Sequence, residues 1–162
     1  MSRIPDEFLT SVKELKEELK ANLLTCQTMA STDLLIDEID LDSSLLEVPK
    51  VFSKWSGMLS DETIKLKELY GFKENIKLER WKYYSGKQTD EYVAKHGILH
   101  EKILKTDIDR YLSCDDKLTI VNDLCTIQKE VVDIIERTLK EISSRNFHIK
   151  AIIDWRKFTS GG

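Results

Sequence analysis

The chain has 162 residues, of which 41% are hydrophobic and 33% charged, and its net charge is −4. That length and composition fit one globular or helical domain with a real core. Two prolines and six glycines favour long helices over a many-turned sheet protein. No apolar run approaches the roughly 20 residues that cross a bilayer, and the N-terminus lacks a basic-then-apolar signal. We therefore expect a cytosolic protein with no membrane partner.

The cysteines argue against two further classes of protein. Cys26, Cys114 and Cys125 are an odd number at wide spacings, without a CxxC pair. A disulfide framework and a zinc knuckle both fit this pattern poorly, so we expect three reduced thiols.

Charge is unevenly distributed along the chain. Residues 1–47 have 4 basic and 11 acidic side chains, whereas residues 62–87 have 7 basic and 4 acidic. Residues 88–142 have 8 basic and 12 acidic side chains, and residues 143–162 have 4 basic and 1 acidic. Two basic zones thus lie in an acidic background, and a polyanion could bind at those zones.

The first predicted element is an N-terminal helix. Pro5 fits its start, because proline is pre-set for the first helical turn. Apolar residues then recur at spacings of four and three, which predicts one buried helix face formed by Phe8, Val12, Leu15, Leu19 and Leu23. The stretch "ASTDLLIDEIDLDSS" (residues 30–44) has no sustained period and is predicted to be an acidic connector.

Two helices are predicted in the middle of the chain. Pro49 fits the start of one, and Ser60-Asp61 offers an N-cap for the next, which would end near Ser85-Gly86. The residues that follow predict shorter helical pieces around Gly97.

The strongest helical pattern comes last. Two adjacent lines of apolar residues run between Leu118 and Ile142, so this helix needs neighbours on two sides. Ser113 with Asp116 resembles a capping box at its start. Residues 143–146 are predicted to end it before one more short helix, "FHIKAIIDWRKF".

Enzymatic motifs are missing. The sequence has no phosphate-binding glycine loop of the GxxxxGK[ST] or GxGxxG type and no GxSxG. His96 and His100 could face one way on a helix, which leaves a metal-dependent hydrolase as a weak alternative, but no third ligand accompanies them. We expect no catalytic residue, no metal and no cofactor.

The stretch "KLERWKYYSGK" (residues 77–87) concentrates cations and aromatic rings. On a helix, Lys73, Lys77 and Arg80 would line one stripe that contacts successive phosphates. Trp81 and its neighbouring tyrosines could stack on unpaired bases, each stack contributing about 1–3 kcal/mol. The opposite interpretation, in which the aromatic rings pack inward and the lysines are only solvated, is equally compatible with the pattern.

Four stretches, in order and spacing, resemble the UvsY family of recombination mediators from T-even-type bacteriophages. The resemblance covers most of the chain from about Ile36 to Gly161. The stretches are "IDLDSSLLEVPKVFSKW" (39–55), "ERWKYYSGK" (79–87), "LSCDDKL" (112–118) and "SSRNFHIKAIIDWRKFTSG" (143–161).

This resemblance implies a non-enzymatic accessory protein of homologous recombination, repair and replication that binds single-stranded DNA. Its partners would be a phage UvsX-type recombinase, which it loads to nucleate the presynaptic filament, and the phage single-strand binding protein, which it helps to displace. It also implies a ring-like homo-oligomer of the hexamer or heptamer class, acting in the cytoplasm of the infected bacterial host.

The resemblance also implies which residues bind the strand. In the family, two basic residues that bracket one other residue precede the paired tyrosines and are implicated in DNA binding. Arg80 keeps the second basic place, whereas the first falls on Leu78, beside Lys77. The candidate strand-binding residues are Lys73, Lys77, Arg80, Trp81, Lys82, Tyr83, Tyr84 and Lys87.

We therefore expect an all-α helical bundle with a long C-terminal helix that assembles into a ring. Residues 1–35 would form an acidic N-terminal helix, and residues 36–162 a UvsY-like domain with a DNA-binding zone at 62–87. Oligomerisation would use a core at about 113–158. Its candidate residues are Leu118, Val121, Leu124, Val132, Ile135, Leu139, Ile142, Phe147 and Ile152.

A second function stays open. A helical scaffold or chaperone-like adaptor that binds only protein partners would use the same basic zones to contact acidic surfaces. Titration with oligothymidine separates the two functions, because binding to phosphates weakens as salt rises.

Overall fold

The computed structural model describes residues 4–99 and 103–161. All regular elements in these two ranges are α-helices, which confirms the predicted all-α class and the long C-terminal helix. The helices are α1 (Asp6–Asp33), α2 (Leu41–Leu46), α3 (Val48–Tyr84), α4 (Asp90–His96), α5 (Ile108–Ser113) and α6 (Asp116–Thr159).

The chain forms two compact units, and α1, α3 and α6 contribute to both. The first unit contains Met1–Ala21 and Lys65–Lys129. Its core joins α3, α5 and α6 through one apolar cluster, and joins α1 to α6 through a second cluster that includes Val12, Leu19 and Leu124. The first cluster consists of Ile76, Ile108, Leu112, Leu118, Val121 and Cys125.

The second unit contains Asn22–Ile64 and Glu130–Gly162. Its core is built around Trp55, which is fully buried and donates from Nε1 to Asp33 Oδ2 at 2.8 Å. Residues of α1 and α6 complete this core. They are Cys26, Ala30, Val131, Ile134, Ile135 and Ile142.

Helix α3 is continuous, so the predicted helix start at Ser60-Asp61 is wrong. Ser60 Oγ donates to the carbonyl of Ser56 at 3.3 Å and does not cap a new helix. A serine hydroxyl can bond back to the preceding turn in this way without ending a helix. Val48 rather than Pro49 begins α3, which places proline in the first turn, where its missing N–H costs no hydrogen bond.

Helix α6 is also continuous, so the predicted break at residues 143–146 is wrong. The hydroxyls of Ser143 and Ser144 donate to the carbonyls of Leu139 and Lys140, at 2.8 and 3.0 Å. Both serines therefore satisfy their hydroxyl groups inside the helix.

The sequence predicted the C-terminal end of α3 correctly, but it predicted the wrong capping residue at the start of α6. Gly86, with φ of +69°, lies just after α3, and its N–H donates to the Tyr83 carbonyl, as expected for a glycine end. Ser113 does not cap α6, because it belongs to α5. Asp115 caps α6 instead, since its Oδ1 accepts a bond from Leu118 N at 3.2 Å.

Two further expectations concerned membrane-spanning segments and the state of the cysteines. Among the helices in the described ranges, none is both long and apolar enough to cross a membrane. All three cysteines are free, with Cys26 and Cys125 buried and Cys114 exposed.

Candidate nucleic-acid interface

The predicted strand-binding residues occupy the last turns of α3, and helix geometry divides them between two faces. Arg80 and Tyr83 face the core of the first unit, where they are 0% and 3% exposed. Lys77, Lys82 and Lys87 are exposed, whereas Lys73, Trp81 and Tyr84 are half-buried.

Arg80 lies at the centre of a buried polar network. Its Nε donates to Asp115 Oδ2 at 2.7 Å, and its Nη2 donates to the Tyr84 hydroxyl at 3.2 Å. The Tyr84 hydroxyl in turn donates to the same Asp115 oxygen at 2.6 Å. Burial disfavours a charged guanidinium, but hydrogen bonds with Tyr92 and Asp115 outweigh it and raise the pKa of Arg80 above its ordinary value.

This burial corrects part of the predicted site. Arg80 has no exposed surface and Tyr83 almost none, so neither can touch a strand in this conformation. The predicted stripe of Lys73, Lys77 and Arg80 is thus interrupted, because Arg80 turns inward to pair with Asp115. Burial and the bond to Asp115 also raise the pKa of Tyr84 to about 12, which keeps its hydroxyl protonated.

A second part of the network surrounds His96. Lys117 Nζ donates to Glu79 Oε1 at 2.9 Å and lies 3.2 Å from His96 Nε2. His96 Nδ1 is 2.9 Å from the carbonyl of Tyr92, and the two rings stack with centroids 3.8 Å apart. A carbonyl only accepts, so Nδ1 carries the proton and Nε2 accepts from the lysine.

Burial and hydrogen bonds together set the protonation of this network. Burial lowers the pKa of His96, and the adjacent Lys117 ammonium lowers it further. Burial alone would raise the pKa of Glu79, but bonds from Tyr92 and Lys117 lower it overall. The network therefore holds a neutral imidazole among fixed charges.

The metal alternative gains no support from His96. Both of its ring nitrogens lie within hydrogen-bond distance of protein atoms, from Tyr92 and Lys117. His100 lies outside the described residues. Within those residues, no group of three or more His, Cys, Asp or Glu side chains is placed to hold a metal ion.

The exposed face combines cations with a partly accessible ring. Lys87 Nζ lies over the Trp81 ring, 4.7 Å from its centroid. Lys77 is four residues before Trp81 and therefore projects from the same side of α3. We call Lys77, Trp81 and Lys87 the outer strip.

Tyr70 was missed by sequence reasoning. It is 43% exposed, and it precedes Lys77 by seven positions and Trp81 by eleven, which are near-integral numbers of helical turns. Its ring therefore lies on the side of α3 that carries the outer strip. The sequence signal for Tyr70 is its helical spacing from Lys77 and Trp81, because Tyr70 precedes the cluster of cations.

Most of the predicted oligomerisation residues lie inside the chain's own core. Leu118 and Val121 pack against α3 and α5, Leu124 against α1, and Ile135 with Ile142 against Trp55. The chain's own helices supply the neighbours that the wide apolar stripe requires. Partner subunits therefore cannot reach these side chains in this conformation. Of the other predicted residues on this helix, Val132 is buried and Leu139 is half-buried.

The end of α6 is different. Phe147, Trp155 and Phe158 are 77%, 66% and 80% exposed, and Ile152 is half-buried. At about 100° per residue, the three rings fall within about 80° of one another around the helix. We call these three rings the C-terminal stripe.

Comparison with known proteins agrees with this architecture. A family model described as recombination, repair and ssDNA binding protein UvsY matches residues 29–162. Among curated proteins, no sequence matches significantly.

Three crystal structures of the bacteriophage T4 recombination mediator protein UvsY share the fold, each at 24% identity. Lattice types I, II and IV give TM-scores of 0.72, 0.71 and 0.73. They cover 83%, 83% and 84% of this chain, and 98%, 94% and 98% of their own chains. Because the family match spans most of the sequence, the protein belongs to the UvsY family of recombination, repair and single-stranded-DNA-binding proteins.

Proposed function

We propose that this protein loads a phage recombinase of the UvsX type onto single-stranded DNA covered by single-strand binding protein. The observation that carries the proposal is the outer strip, in which two exposed lysines accompany the half-buried Trp81 ring on a chain of the UvsY family. Phosphates would contact Lys77 and Lys87, and an unpaired base would stack beside Trp81.

The buried network supports the outer strip from behind. Arg80 and Tyr84 anchor the last turns of α3 to Asp115, at the start of α6. Trp81, between them in sequence, is thereby fixed relative to Lys77. The family's basic residue before the paired tyrosines acts here by positioning the strip and not by touching the strand.

Strand binding of this kind is independent of base sequence. Lysine presents a point charge without a fork to read base edges, and every base offers a face on which a ring can stack. Exposed Lys82 adds to the positive potential of the same helix end, and half-buried Lys73 adds to it one turn before Lys77.

Loading requires no nucleotide hydrolysis by this chain. A mediator that binds the strand conformation favoured by the recombinase shifts the competition with the single-strand binding protein through differential affinity. Several copies in a ring-like homo-oligomer of the hexamer or heptamer class would repeat the outer strip. Avidity would then convert weak single contacts into stable binding. Its place of action would be the cytoplasm of the infected host.

The direct experiment is a titration of labelled oligothymidine, followed by anisotropy at several salt concentrations. Binding that weakens linearly on a log–log plot with rising salt supports the proposal. A matched duplex should bind more weakly, because its base faces are hidden. Absence of binding at low salt would contradict the proposal and favour the protein-only adaptor.

A further inference from the structure

Residues 34–47, which include helix α2 and are here called the acidic loop, form a largely exposed surface that strand binding does not use. They include five carboxylates and no Lys, Arg or His. Leu35, Ile39 and Leu46 are 72%, 96% and 79% exposed there. Three large, strongly exposed apolar side chains within twelve residues, among charges of one sign, favour a surface that a partner covers.

The acidic loop has a defined conformation. Asp37 Oδ1 accepts from the backbone N–H of Ile39 at 2.8 Å, and Asp40 caps α2 through Ser43 N at 3.0 Å. Arg145 fixes the start of the loop by donating to the carbonyls of Asp33 and Leu35, at 2.7 and 2.6 Å. Glu38 and Asp42, which are both exposed, remain on the surface of this framework.

The C-terminal stripe has the opposite charge at its edge. Lys150 and Lys157 are seven residues apart, so they lie within about 20° of each other around α6, along one side of the stripe, where they outnumber the one exposed acid on that side, Asp154. Arg156 projects from the other side of the helix. Trp155 and Phe158 have ring centroids 6.1 Å apart and form the broadest part of the stripe.

The two surfaces do not cover each other within one chain. Arg145 contacts the start of the acidic loop, whereas Phe147 projects from α6 about 160° away from Arg145, and Phe158 lies 13 residues further along the same helix. At 1.5 Å per residue, that is about 20 Å. Both sets of apolar side chains also stay exposed in the single chain.

We propose that the C-terminal stripe of one copy docks on the acidic loop of the next copy. The rings would cover Leu35, Ile39 and Leu46, and Lys150 with Lys157 would face Glu38 and Asp42. The C-terminal stripe thus complements the acidic loop both in charge and in apolar character. The proposal rests on the self-assembly included in the proposed function.

The contact has a direction. The stripe of one copy contacts the loop of the next, and these are different surfaces. When only two copies are joined, one therefore still has a free loop and the other a free stripe, so further copies can add. Head-to-tail contacts of this kind close into rings when the rotation permits. The contact therefore supplies a geometric basis for a ring.

A charge-exchange experiment tests the proposal. The loop variant Glu38→Lys/Asp42→Lys and the tail variant Lys150→Glu/Lys157→Glu are each analysed by sedimentation velocity across a range of protein concentrations. We expect each variant alone to need about tenfold more protein for half-assembly than the wild type. Arg156→Glu, which changes a charge on the other side of α6, should assemble like the wild type.

Mixing the two variants gives the decisive result. Every contact in an alternating ring of six copies then joins opposite charges, and a ring of seven has a single like-variant contact, so the equimolar mixture should regain assembly close to wild-type concentrations. Circular dichroism of each variant establishes that the helices are intact, and regained assembly shows independently that the variants fold. Unchanged assembly of either variant alone, or a mixture no better than its components, would overturn the proposal.

The apolar part of the contact has its own matched pair. Ile39→Ser removes an exposed apolar side chain in the acidic loop, and Ile98→Ser removes one in the first unit. Only Ile39→Ser should raise the concentration for half-assembly, and equal effects would overturn the assignment.

The same samples separate this proposal from the proposed function. Anisotropy with an oligothymidine short enough for one copy should be unchanged in Ile39→Ser. Absence of strand binding by the wild type would refute the proposed function. The sedimentation results alone decide whether a second copy covers the acidic loop.

Discussion

Arg80 shows how one side chain changes the reading of the site. A buried guanidinium needs its partner, because a charge left alone in the interior is far more costly than a missing exposed pair. Its bonds to Asp115 and Tyr84 tie the end of α3 to the start of α6. Arg80 thus stabilises the surface on which the strand would lie.

The first prediction separates Arg80 from Lys77. Arg80→Met should lower the free energy of unfolding by about 3–5 kcal/mol, because Asp115 loses its buried partner. Lys77→Ala should change it by less than about 0.5 kcal/mol, as for most exposed positions. Urea unfolding measures both. Equal stability of the two variants would show that the Arg80–Asp115 pair is not structural.

A second prediction concerns pH. Because the folded-state pKa of His96 lies below its ordinary value of 6.5, the unfolded chain takes up a proton there before the folded chain does. Stability should therefore fall as pH decreases from 6.5 toward the folded pKa.

Glu79 contributes to the pH dependence of stability in a lower pH range than His96. Its folded pKa lies below 4.5, so its contribution is present above that pH and is lost as the pH falls further. His96→Gln should flatten only the upper window, as measured by thermal unfolding at fixed protein concentration. A variant with the same pH profile as the wild type would contradict the assignment.

Trp81 carries the third prediction. Trp81→Leu keeps an apolar side chain but removes the stacking face, so affinity for oligothymidine should fall by about 1–3 kcal/mol. Trp81→Phe, which retains a ring, should recover most of the loss. Equal affinity of the Leu and Phe variants would mean that the ring does not stack on a base.

At the scale of the helix, the end of α3 sets the position of Lys87. Gly86 has φ of +69°, and the Lys87 N–H donates to the Lys82 carbonyl at 2.8 Å. The left-handed glycine and this hydrogen bond end the helix and direct the chain back, so that Lys87 lies over the Trp81 ring.

The fourth prediction tests that turn. Gly86→Ala should destabilise the protein by about 1 kcal/mol, because a side chain strains the left-handed backbone although space is open around it. Gly71→Ala, inside α3 and equally unhindered, should stabilise it by up to about 1 kcal/mol. If both substitutions changed stability equally in thermal unfolding, the turn would not require glycine.

The sequence predicted which segments are helical better than it predicted where helices break. Apolar spacing identified the buried face of α1 and the wide stripe of α6. Serine, however, can either cap a helix or bond back to the preceding turn, and the local sequence at Ser60 and Ser143 does not distinguish the two.

The inward turn of Arg80 could not be read from spacing. On a helix it lies close in angle to Lys73, at the boundary between the exposed and buried faces. Its partner Asp115 is 35 positions away in sequence, so only the tertiary fold reveals the pair. The tyrosine pair was likewise ambiguous, since Tyr83 is buried and Tyr84 half-buried.

For the whole molecule, the family assignment and the exposed C-terminal stripe lead to one expectation about avidity. Phe147→Ser/Phe158→Ser should weaken assembly without changing net charge. Affinity for a long oligothymidine should then fall by about 100-fold or more, because linked sites no longer act together. Affinity for an oligonucleotide that occupies one copy should stay constant. Equal losses on both lengths, measured by anisotropy, would count against avidity.

The most direct measurement is the salt dependence of oligothymidine binding by Lys77→Ala/Lys87→Ala. Lys13→Ala, which removes an exposed cation from α1, is the control. The double variant should bind more weakly, and its log–log salt slope should be shallower by about 1.4, or about 0.7 for each lost phosphate contact. Lys13→Ala should retain the wild-type slope. A wild-type slope in the double variant would show that the strand does not lie on the outer strip.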